Sequence, residues 1–243
     1  LSLIEKFDDH MRDINGNSSG GRNPKHKNLR TVILDIQKHN IAIDNPYRFF
    51  KIPNLEVKEI YLDKSELNTL MEYTEHFAPT SKEYQILKMY QFSCFCGLRF
   101  SDAMDLEWRQ IDFKNNLIRK IMIKTKTEVI TPLFPMACEI LLEKIRNKAI
   151  NESDKVFYQF SEPTVNQTLR KQTRLAGIDK HITYHSSRHT FATLLVMDGV
   201  DIYKISKYLG HKSVNMTQRY LKYDLSIAKE SAKDISTFSG NNG

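Results

Sequence analysis

The stretch "HITYHSSRHTFATLLVMDGVDIYKISKYLGHKSVNMTQRY", residues 181–220, combines helical periodicity with an unusual set of polar residues. Gly199 and Gly210 each follow a helical pattern, at the position where glycine commonly ends a helix. Within the first pattern His185 and Arg188 are three residues apart, so they share one face of a helix. The stretch therefore predicts two consecutive helices that carry a polar cluster.

The rest of the chain extends this fold. Helical patterns occur in "LDKSELNTLMEYTEHF", which begins at Asp63 or Ser65, and in "TSKEYQILKMYQFSCFCG", which begins at Thr80 or Ser81. They return in "PMACEILLEKIRNKAI" and "SEPTVNQTLRKQTRLAG". Between these pairs, "WRQIDFKNNLIRKIMIKTKTEVITPLF" alternates and predicts two or three antiparallel strands, with a hairpin turn at residues 114–116. The predicted fold class is mainly α with a small antiparallel β-sheet.

The N-terminal part predicts a separate helical unit. Residues 1–17 read as a helix, with Leu3, Ile4, Phe7, Met11 and Ile14 near one face. The composition of residues 15–24 predicts a loop, and a second helix is expected from Lys25 to His39. Asn-Pro and Ile-Pro pairs then predict a turn and a linker, with a domain boundary near Lys58.

Composition excludes some protein classes and favours others. The 243 residues include 36 basic and 29 acidic side chains, a net charge of +7, which makes nucleic acid or an anionic surface a reasonable partner. The three cysteines lack CxxC spacing, which favours a reducing compartment. No run of 18 apolar residues predicts a membrane span, and the acidic, amphipathic N-terminus is unlike a targeting peptide. The lack of an initiating Met suggests a fragment or a processed product.

Several polar residues have ordinary structural interpretations when taken singly. Arg99 follows an apolar helix that ends at Gly97, and an ion pair with Asp102 or Asp105 would account for it. Lys124 and Lys126 fall in a predicted hairpin turn, where lysine usually serves solubility.

Histidines and tyrosines have similar alternatives. His181, His185 and His189 are spaced by four, which is compatible with a metal site, but no HExxH pattern or intervening carboxylate supports one. We expect His189 to cap a helix or to pack. Tyrosines on helices usually pack, and this interpretation is open for Tyr208 and Tyr220.

The order of these residues is more informative than any one of them. An arginine, a hairpin lysine, an H-x-x-R motif, a G-H pair and a tyrosine nine residues later follow one another along the chain. In this order the sequence resembles the phage-integrase family of tyrosine recombinases. The matching boxes are "GLRFSDAMDL", "HSSRHTFAT" and "LGHKSVNMTQRY", and the hairpin is "KTKTEVITPL". The family's lysine stands eight residues before the proline of a Pro-Leu pair, which selects Lys124 through Pro132.

The resemblance implies a DNA strand-transferase that cleaves and rejoins DNA without metal or ATP, so no cofactor is expected. Tyr220 would be the nucleophile that forms a 3′-phosphotyrosyl link, with Tyr223 as its rival. Lys124 would protonate the leaving 5′-oxygen, and His185 would act as a base or bind phosphate. The implied catalytic set is Arg99, Lys124, His185, Arg188, His211 and Tyr220. The implied DNA-binding set is Arg22, Lys25, Lys27, Arg30 and Lys212.

The resemblance also implies domains and partners. Residues 1–54 would be part of a helical, SAM-like core-binding domain that lacks its first helix, 55–60 a linker, and 61–243 the catalytic domain with a docking tail "SIAKESAKDISTFSG". The expected partner is double-stranded DNA, bound by a homotetramer on paired sites in a bacterial cytoplasm. "IAIDNPYRFF" further resembles integrases of mobile elements in Bacteroides-like bacteria.

Two rival functions remain open at this stage. A type IB topoisomerase or telomere resolvase would share the chemistry, although the integrase-like boxes argue against it. A DNA-binding regulator could keep the fold without activity, although every catalytic position is filled.

Overall fold

The computed structural model describes residues 2–41, 43–52, 59–146 and 149–221. The chain divides into two compact units, residues 1–58 and 59–243. Their described parts are considered separately below.

The first unit consists of two helical segments and a short turn. Helix α1 spans Leu3–Asp9 and continues as a π-helical turn over His10–Ile14. Ser2 and Glu5 form a capping box that satisfies backbone donors at the start of α1. Helix α2 spans Ser19–Lys38, and a 3-10 turn follows at Pro46–Arg48.

Helix α2 begins earlier than the sequence predicts, so the prediction of a loop over residues 15–24 is wrong from Ser19 onward. The hydroxyl of Ser18 accepts a hydrogen bond from the Gly21 backbone N–H and caps the helix. Pro24 lies only six residues into α2, where its missing N–H leaves a single carbonyl without a helical partner. The glycines and the proline therefore led to a prediction of a loop where the helix already begins, and the Ser18 cap sets that beginning.

The core of the first unit is small and partly polar. Ile4, Ile33 and Tyr47 are buried together, and His26 is fully buried beside them. His26 Nε2 lies 2.9 Å from Asp8 Oδ1, and its Nδ1 lies 3.1 Å from the Tyr47 hydroxyl. The predicted apolar face of α1 is wrong at both ends, because Leu3 and Ile14 are exposed.

The second unit contains the remaining helices around a three-stranded antiparallel sheet. Its described helices are α3 Lys64–Thr74, α4 Lys82–Cys96, α5 Phe100–Met104, α6 Pro135–Ile145, α7 Glu162–Leu175, α8 Tyr184–Met197, α9 Ile202–Tyr208 and α10 Asn215–Gln218. The strands are β1 Ile111–Asp112, β2 Leu117–Ile121 and β3 Glu128–Pro132, in the order β1-β2-β3. The predicted fold class is confirmed.

The sheet follows its sequence pattern closely. β1 pairs with β2 through a turn at residues 113–116, where Asn116 adopts a left-handed conformation. β2 pairs with β3 in a register that sets Ile118 opposite Thr131 and Lys120 opposite Val129. The buried positions alternate along both strands, as a half-covered sheet requires.

Helix α4 lies at the centre of the second unit. Ten of its fifteen residues are buried, and it packs against α3, α6, α7 and α8. Its contact with α8 includes polar pairs: the Tyr90 hydroxyl lies 2.8 Å from Ser186 Oγ, and Ser93 bonds the Tyr184 hydroxyl. Because each buried hydroxyl has a partner, these pairs fix the register of α8 on α4.

Helix caps explain where α3 and α4 begin and end. Asp63 caps α3 in a box with Glu66, and Ser81 caps α4, which decides both sequence alternatives. Gly97 ends α4 in the left-handed region, with φ of 69°. In the described part of the chain, no helix has the length and apolar character needed to cross a membrane.

Gly97 provides a test of this arrangement. A Cβ added there would lie 2.5 Å from a ring carbon of Phe191 and 2.9 Å from a methyl of Leu209. We expect Gly97→Ala to lower the free energy of unfolding by on the order of 3 kcal/mol, because it adds a steric clash to left-handed strain. Denaturant unfolding measures this.

The matched control is Gly177→Ala. Gly177 also has a positive φ, of 82°, but no atom lies within 4 Å of its added Cβ. We expect this variant to lose only about 1 kcal/mol, from backbone strain alone. Equal losses in the two variants would contradict the packing assigned to Gly97.

Candidate active site

Arg99 stands at the N-terminal end of α5, two residues after the glycine that ends α4. Its side chain is largely buried, and its Nη1 atom has no hydrogen-bond partner among the described residues. The nearest carboxylate oxygen, Asp102 Oδ2, is 3.9 Å away and is equally unpartnered. Arg99 is therefore held in place while its Nη1 atom can still donate a hydrogen bond to another group.

Asp102 connects Arg99 to the hairpin between β2 and β3. It is fully buried, and its Oδ1 accepts a 2.7 Å hydrogen bond from the Ile123 backbone N–H. Ile123 directly precedes Lys124, so the carboxylate fixes the base of the turn that carries this lysine. The alternative partner for Arg99, Asp105, is engaged elsewhere, with Lys120 Nζ at 2.8 Å and Lys155 Nζ at 2.6 Å.

The two lysines of the hairpin are both exposed. Lys124 lies in the turn itself, and Lys126 adopts a left-handed conformation with φ of 55° as the chain re-enters β3. The Lys126 backbone N–H donates to the Met122 carbonyl and closes the turn. The turn therefore presents Lys124 on a short, backbone-closed loop.

Arg188 is buried on α8, with 2% of its surface exposed. Its Nη1 donates to the Gly97 carbonyl at 2.8 Å, and its Nη2 donates to the Leu209 carbonyl. Burial lowers the pKa of Arg188 to about 9, and the charge of Arg99 adds to the shift. Because a guanidinium remains protonated in proteins, Arg188 is a buried cation with a second cation nearby, and a bound anion would relieve both effects.

His185 lies one turn before Arg188 on the same helix. Its ring reaches the surface, yet desolvation lowers its pKa, followed by the charges of Arg188 and Arg219. Smaller contributions from Arg99 and Lys124 place both of these within electrostatic range. A neutral imidazole among several cations can accept a proton or donate from one ring nitrogen.

His211 follows Gly210, which ends the α9 turn. Its Nδ1 lies 2.7 Å from the hydroxyl of buried Thr217, and burial followed by the charge of Arg188 lowers its pKa to about 3. If the Thr217 hydroxyl donates to Nδ1, Nε2 carries the proton of the neutral ring. His211 is then a neutral donor directed by its threonine partner.

Tyr220 is fully buried in the cluster formed by α8 and α9. Its hydroxyl lies 2.9 Å from His189 Nδ1 and 3.3 Å from Arg219 Nη2. Burial raises the pKa of Tyr220, while Arg219 and Arg188 oppose the shift. Tyr208 packs against the same apolar cluster, and the rival Tyr223 lies outside the described residues.

Sequence reasoning did not predict the contacts that three residues make at this site. His189 packs against other rings, as expected, but its ring also makes a hydrogen bond to Tyr220, which was not predicted. Its spacing of four from His185 was the available signal, and the two rings meet edge to face at 4.7 Å. Arg219 carried no signal beyond its position beside Tyr220, and Asp102 was expected only as an ion-pair partner of Arg99, not as an anchor of the hairpin.

The histidine spacing does not assemble metal ligands. Within the described ranges, no group of three or more His, Cys, Asp or Glu side chains is arranged to hold a metal ion. His185 and His189 instead contact each other, and His189 contacts a phenol.

Within the first unit, the predicted DNA-binding residues do not lie on one side of α2. Arg22 Nη1 forms a 2.6 Å ion pair with Asp8, so this guanidinium links α2 to α1. Lys27 and Arg30 are exposed on one side of α2, three residues apart, whereas Lys25 lies on the opposite side. Lys212, in the second unit, is exposed next to His211.

Comparison with known proteins identifies the family. The sequence model of the phage integrase family matches residues 61–225, which is well over half of the chain. This chain belongs to the phage integrase family. The family comprises tyrosine recombinases, which are DNA strand-transferring enzymes.

Individual relatives agree with this assignment. The chain is 30% identical over 201 residues to a tyrosine recombinase of Pseudothermotoga lettingae, covering 81% of this chain and 68% of that protein. It is 27% identical over 172 residues to tyrosine recombinase XerC of Rickettsia bellii, covering 66% of this chain but only 55% of that protein. The match thus spans about half the length of the Rickettsia relative.

A solved structure supports the fold. The Tn1549 transposon integrase in complex with transposon right end DNA superposes with a TM-score of 0.72 at 17% identity. The match covers 91% of this chain and 81% of that chain, which is a fragment of the integrase.

The role of Asp102 can be tested without DNA. We expect Asp102→Ala to speed amide hydrogen exchange of Ile123 by about 10- to 100-fold, because a hydrogen bond to a carboxylate contributes about 1.5–3 kcal/mol. Asp112→Ala is the control, since Asp112 Oδ1 accepts the Asn115 N–H at 2.9 Å in the other hairpin. If Ile123 exchange is unchanged in Asp102→Ala, the carboxylate does not anchor the turn.

The low pKa values of His189 and His211 predict how stability depends on pH. Both pKa values, about 4 and about 3, lie below the ordinary value of about 6.5, so the unfolded chain binds more protons between these limits. The free energy of unfolding should therefore fall as pH drops from about 6.5 toward 4, by up to about 1.4 kcal/mol per pH unit for each ring. Above pH 7 neither ring contributes a slope.

Denaturant unfolding at several pH values measures this slope. His211→Gln, which cannot take up a proton, should remove the contribution of His211 and leave that of His189. An unaltered slope in His211→Gln would show that His211 is not held neutral.

Proposed function

We propose that this chain cleaves and rejoins DNA strands through a covalent 3′-phosphotyrosyl link to Tyr220. The activity follows from membership of the family, and the roles assigned to residues are those that the family resemblance implies, with the site chemistry in support. The observation that carries it is the position of Arg188, which interacts electrostatically with both Arg99 and the buried phenol of Tyr220. In the described part of the chain Arg188 is bonded to carbonyl oxygens rather than to a carboxylate, so its charge is available to a substrate anion.

The phosphodiester would be bound by the two arginines and a histidine. Arg99 and Arg188 clamp the non-bridging oxygens, and His211 donates to one of them from its neutral ring. Three donors from α5, α8 and the segment after α9 would surround one phosphate. Charge that develops on these oxygens in the transition state is then met by groups already in place.

Cleavage would proceed by in-line attack. The Tyr220 oxygen forms a bond to phosphorus, and the bond from phosphorus to the 5′-oxygen breaks. Lys124 protonates the leaving 5′-oxygen, and the phenol proton passes to His185 or to solvent. A 5′-hydroxyl of a second strand then attacks the phosphotyrosine, which restores the phosphodiester and the free tyrosine. No metal or nucleotide enters this balance.

The biological setting is proposed from a sequence resemblance. "IAIDNPYRFF" resembles integrases of mobile elements in Bacteroides-like bacteria, which favours integration or excision of such an element. Residues 1–54 would bind DNA as a core-binding domain, with Lys27 and Arg30 on one exposed side of α2. A homotetramer on paired sites, formed through the tail after Asp224, completes the proposal.

Covalent trapping tests the chemistry although the target sequence is unknown. A library of nicked duplexes with randomised flanks is incubated with the protein, because loss of the short fragment beyond the nick prevents religation. We expect SDS-resistant protein–DNA adducts that survive EDTA, and sequencing of the trapped DNA yields a defined duplex pool. Tyr220→Phe should form no adduct.

Two controls sharpen this experiment. Tyr208→Phe alters another ring of the same cluster and should trap DNA normally. Tyr223→Phe should also trap DNA, and its failure would move the nucleophile to Tyr223. Relaxation of supercoiled plasmid without strand exchange between two sites would favour a topoisomerase, and DNA binding without any adduct would favour a regulator.

A further inference from the structure

The Tyr220 hydroxyl lies between two partners that have different hydrogen-bonding chemistry. Arg219 Nη2, at 3.3 Å, can only donate, because a guanidinium has no acceptor. His189 Nδ1, at 2.9 Å, can donate or accept, depending on its tautomer. The arginine also lies over the phenol ring, with 5.2 Å from its Cζ to the ring centroid.

The arginine settles which tautomer satisfies the buried phenol. Since Arg219 donates to the hydroxyl oxygen, the single phenol proton needs an acceptor, and His189 Nδ1 is the described atom placed to be one. The proton of the neutral His189 ring must then reside on Nε2. With the opposite tautomer two donors would face the phenol oxygen, and its proton would be buried without an acceptor at a cost of about 1–3 kcal/mol.

The surroundings keep His189 in this neutral, accepting form. Burial and the neighbouring His185 lower the pKa of His189 to about 4, and the cations Arg219 and Arg188 act in the same direction. Glu59 opposes them, but its carboxylate is 3.7 Å from Arg219 Nε and is partly neutralised by it. At neutral pH the ring therefore offers the phenol a lone pair.

We propose that His189 is a positioning residue for Tyr220: its unprotonated Nδ1 accepts a hydrogen bond from the phenol O–H and fixes the direction in which the hydroxyl points. This inference rests on the proposed function, in which Tyr220 is the nucleophile. A phenol whose O–H is directed at α8 has its oxygen lone pairs directed elsewhere. Those lone pairs must meet phosphorus in line, so the orientation of the O–H bond affects the rate of attack.

Three substitutions test whether His189 acts as a hydrogen-bond acceptor or only fills space. His189→Asn can place an amide oxygen where Nδ1 lies and so retains an acceptor that cannot become a general base. His189→Leu removes the acceptor while keeping an apolar side chain. Ser186→Ala is the matched control, because it removes a 2.8 Å hydrogen bond from α8 to another buried tyrosine, Tyr90.

The first measurement needs no DNA. Tyrosine labelled with 13C at Cζ reports ionisation of each phenol by NMR, and the signal absent from Tyr220→Phe identifies Tyr220. If His189 accepts, its loss in His189→Leu removes a partner of the neutral phenol only, so the pKa of Tyr220 falls. If His189 donates instead, the same substitution raises the pKa, and the inference is overturned.

The second measurement is the rate of covalent trapping on the duplex pool obtained with the wild-type protein. We expect His189→Leu to slow adduct formation by about 10- to 100-fold, as misoriented nucleophiles do. His189→Asn should stay within about threefold of the wild type, and Ser186→Ala likewise. DNA binding, measured in a Tyr220→Phe background, should be unchanged by His189→Leu.

The outcomes distinguish this inference from the proposed function. If the wild-type protein forms no adduct, the proposed function fails, while the NMR titration still decides the hydrogen bond. If the wild type traps DNA and His189→Leu traps it equally fast, the positioning role is excluded. Should His189→Leu fail to fold, His189→Phe, which fills the ring's space without an acceptor, takes its place in both measurements.

Discussion

The buried guanidinium of Arg188 is the constraint on which the second unit depends. Its two hydrogen bonds join α8 to the Gly97 carbonyl, at the end of α4, and to the Leu209 carbonyl, at the end of α9. Three segments that are far apart in sequence are thereby held at one point. A charge buried in this way costs several kcal/mol unless it is solvated by dipoles, and these two helix-terminal carbonyls are such dipoles. These hydrogen bonds thus make the burial of Arg188 compatible with folding, and the side chain keeps its full charge.

This arrangement leaves the site electropositive at the expense of stability. Arg99, Arg188 and Arg219 each contribute to the low pKa of His211, and the buried Asp102 is the carboxylate nearest to Arg99. Asp102 gives one oxygen to a backbone N–H and so does not fully neutralise the arginine. Elsewhere in the same unit the chain pairs its charges closely, as in the network of Lys120, Asp105 and Lys155. The pairing of Arg99 with Asp102, at 3.9 Å, is therefore looser than the pairing within this network.

The sequence predicted elements whose signals are local. Ser81 and Gly97 bound α4 as expected, because a cap and a left-handed glycine act within a few residues. The strands were recognisable from alternation alone. Ser19–Lys38 was not, because two glycines and a proline conceal a helix start that a single serine hydroxyl stabilises. The exposed Leu3 and Ile14 show a second limit, since periodicity marks a face but does not say how much of it is covered.

The same distinction between local and distant signals applies to the site. The residue types and spacing typical of the family are themselves a sequence signal, and they are the basis for predicting Arg99, Lys124, His185, Arg188, His211 and Tyr220. The partners that orient them were not recognisable, since each depends on a contact across the fold: Asp102 with the backbone of Ile123, and His189 with a phenol 31 residues later.

Because Tyr220 is buried, its contacts with side chains, rather than with water, determine how its hydroxyl is oriented. A surface phenol would be oriented by water and would lose that orientation when DNA displaced the water. This phenol has no exposed surface, so its direction and protonation are set by His189 and Arg219 before any substrate arrives. Cations lower the free energy of the phenolate while burial raises it, and the raised pKa of Tyr220 shows that burial prevails in the DNA-free chain. The proposed nucleophile is thus held neutral beside the charges that would stabilise its anion.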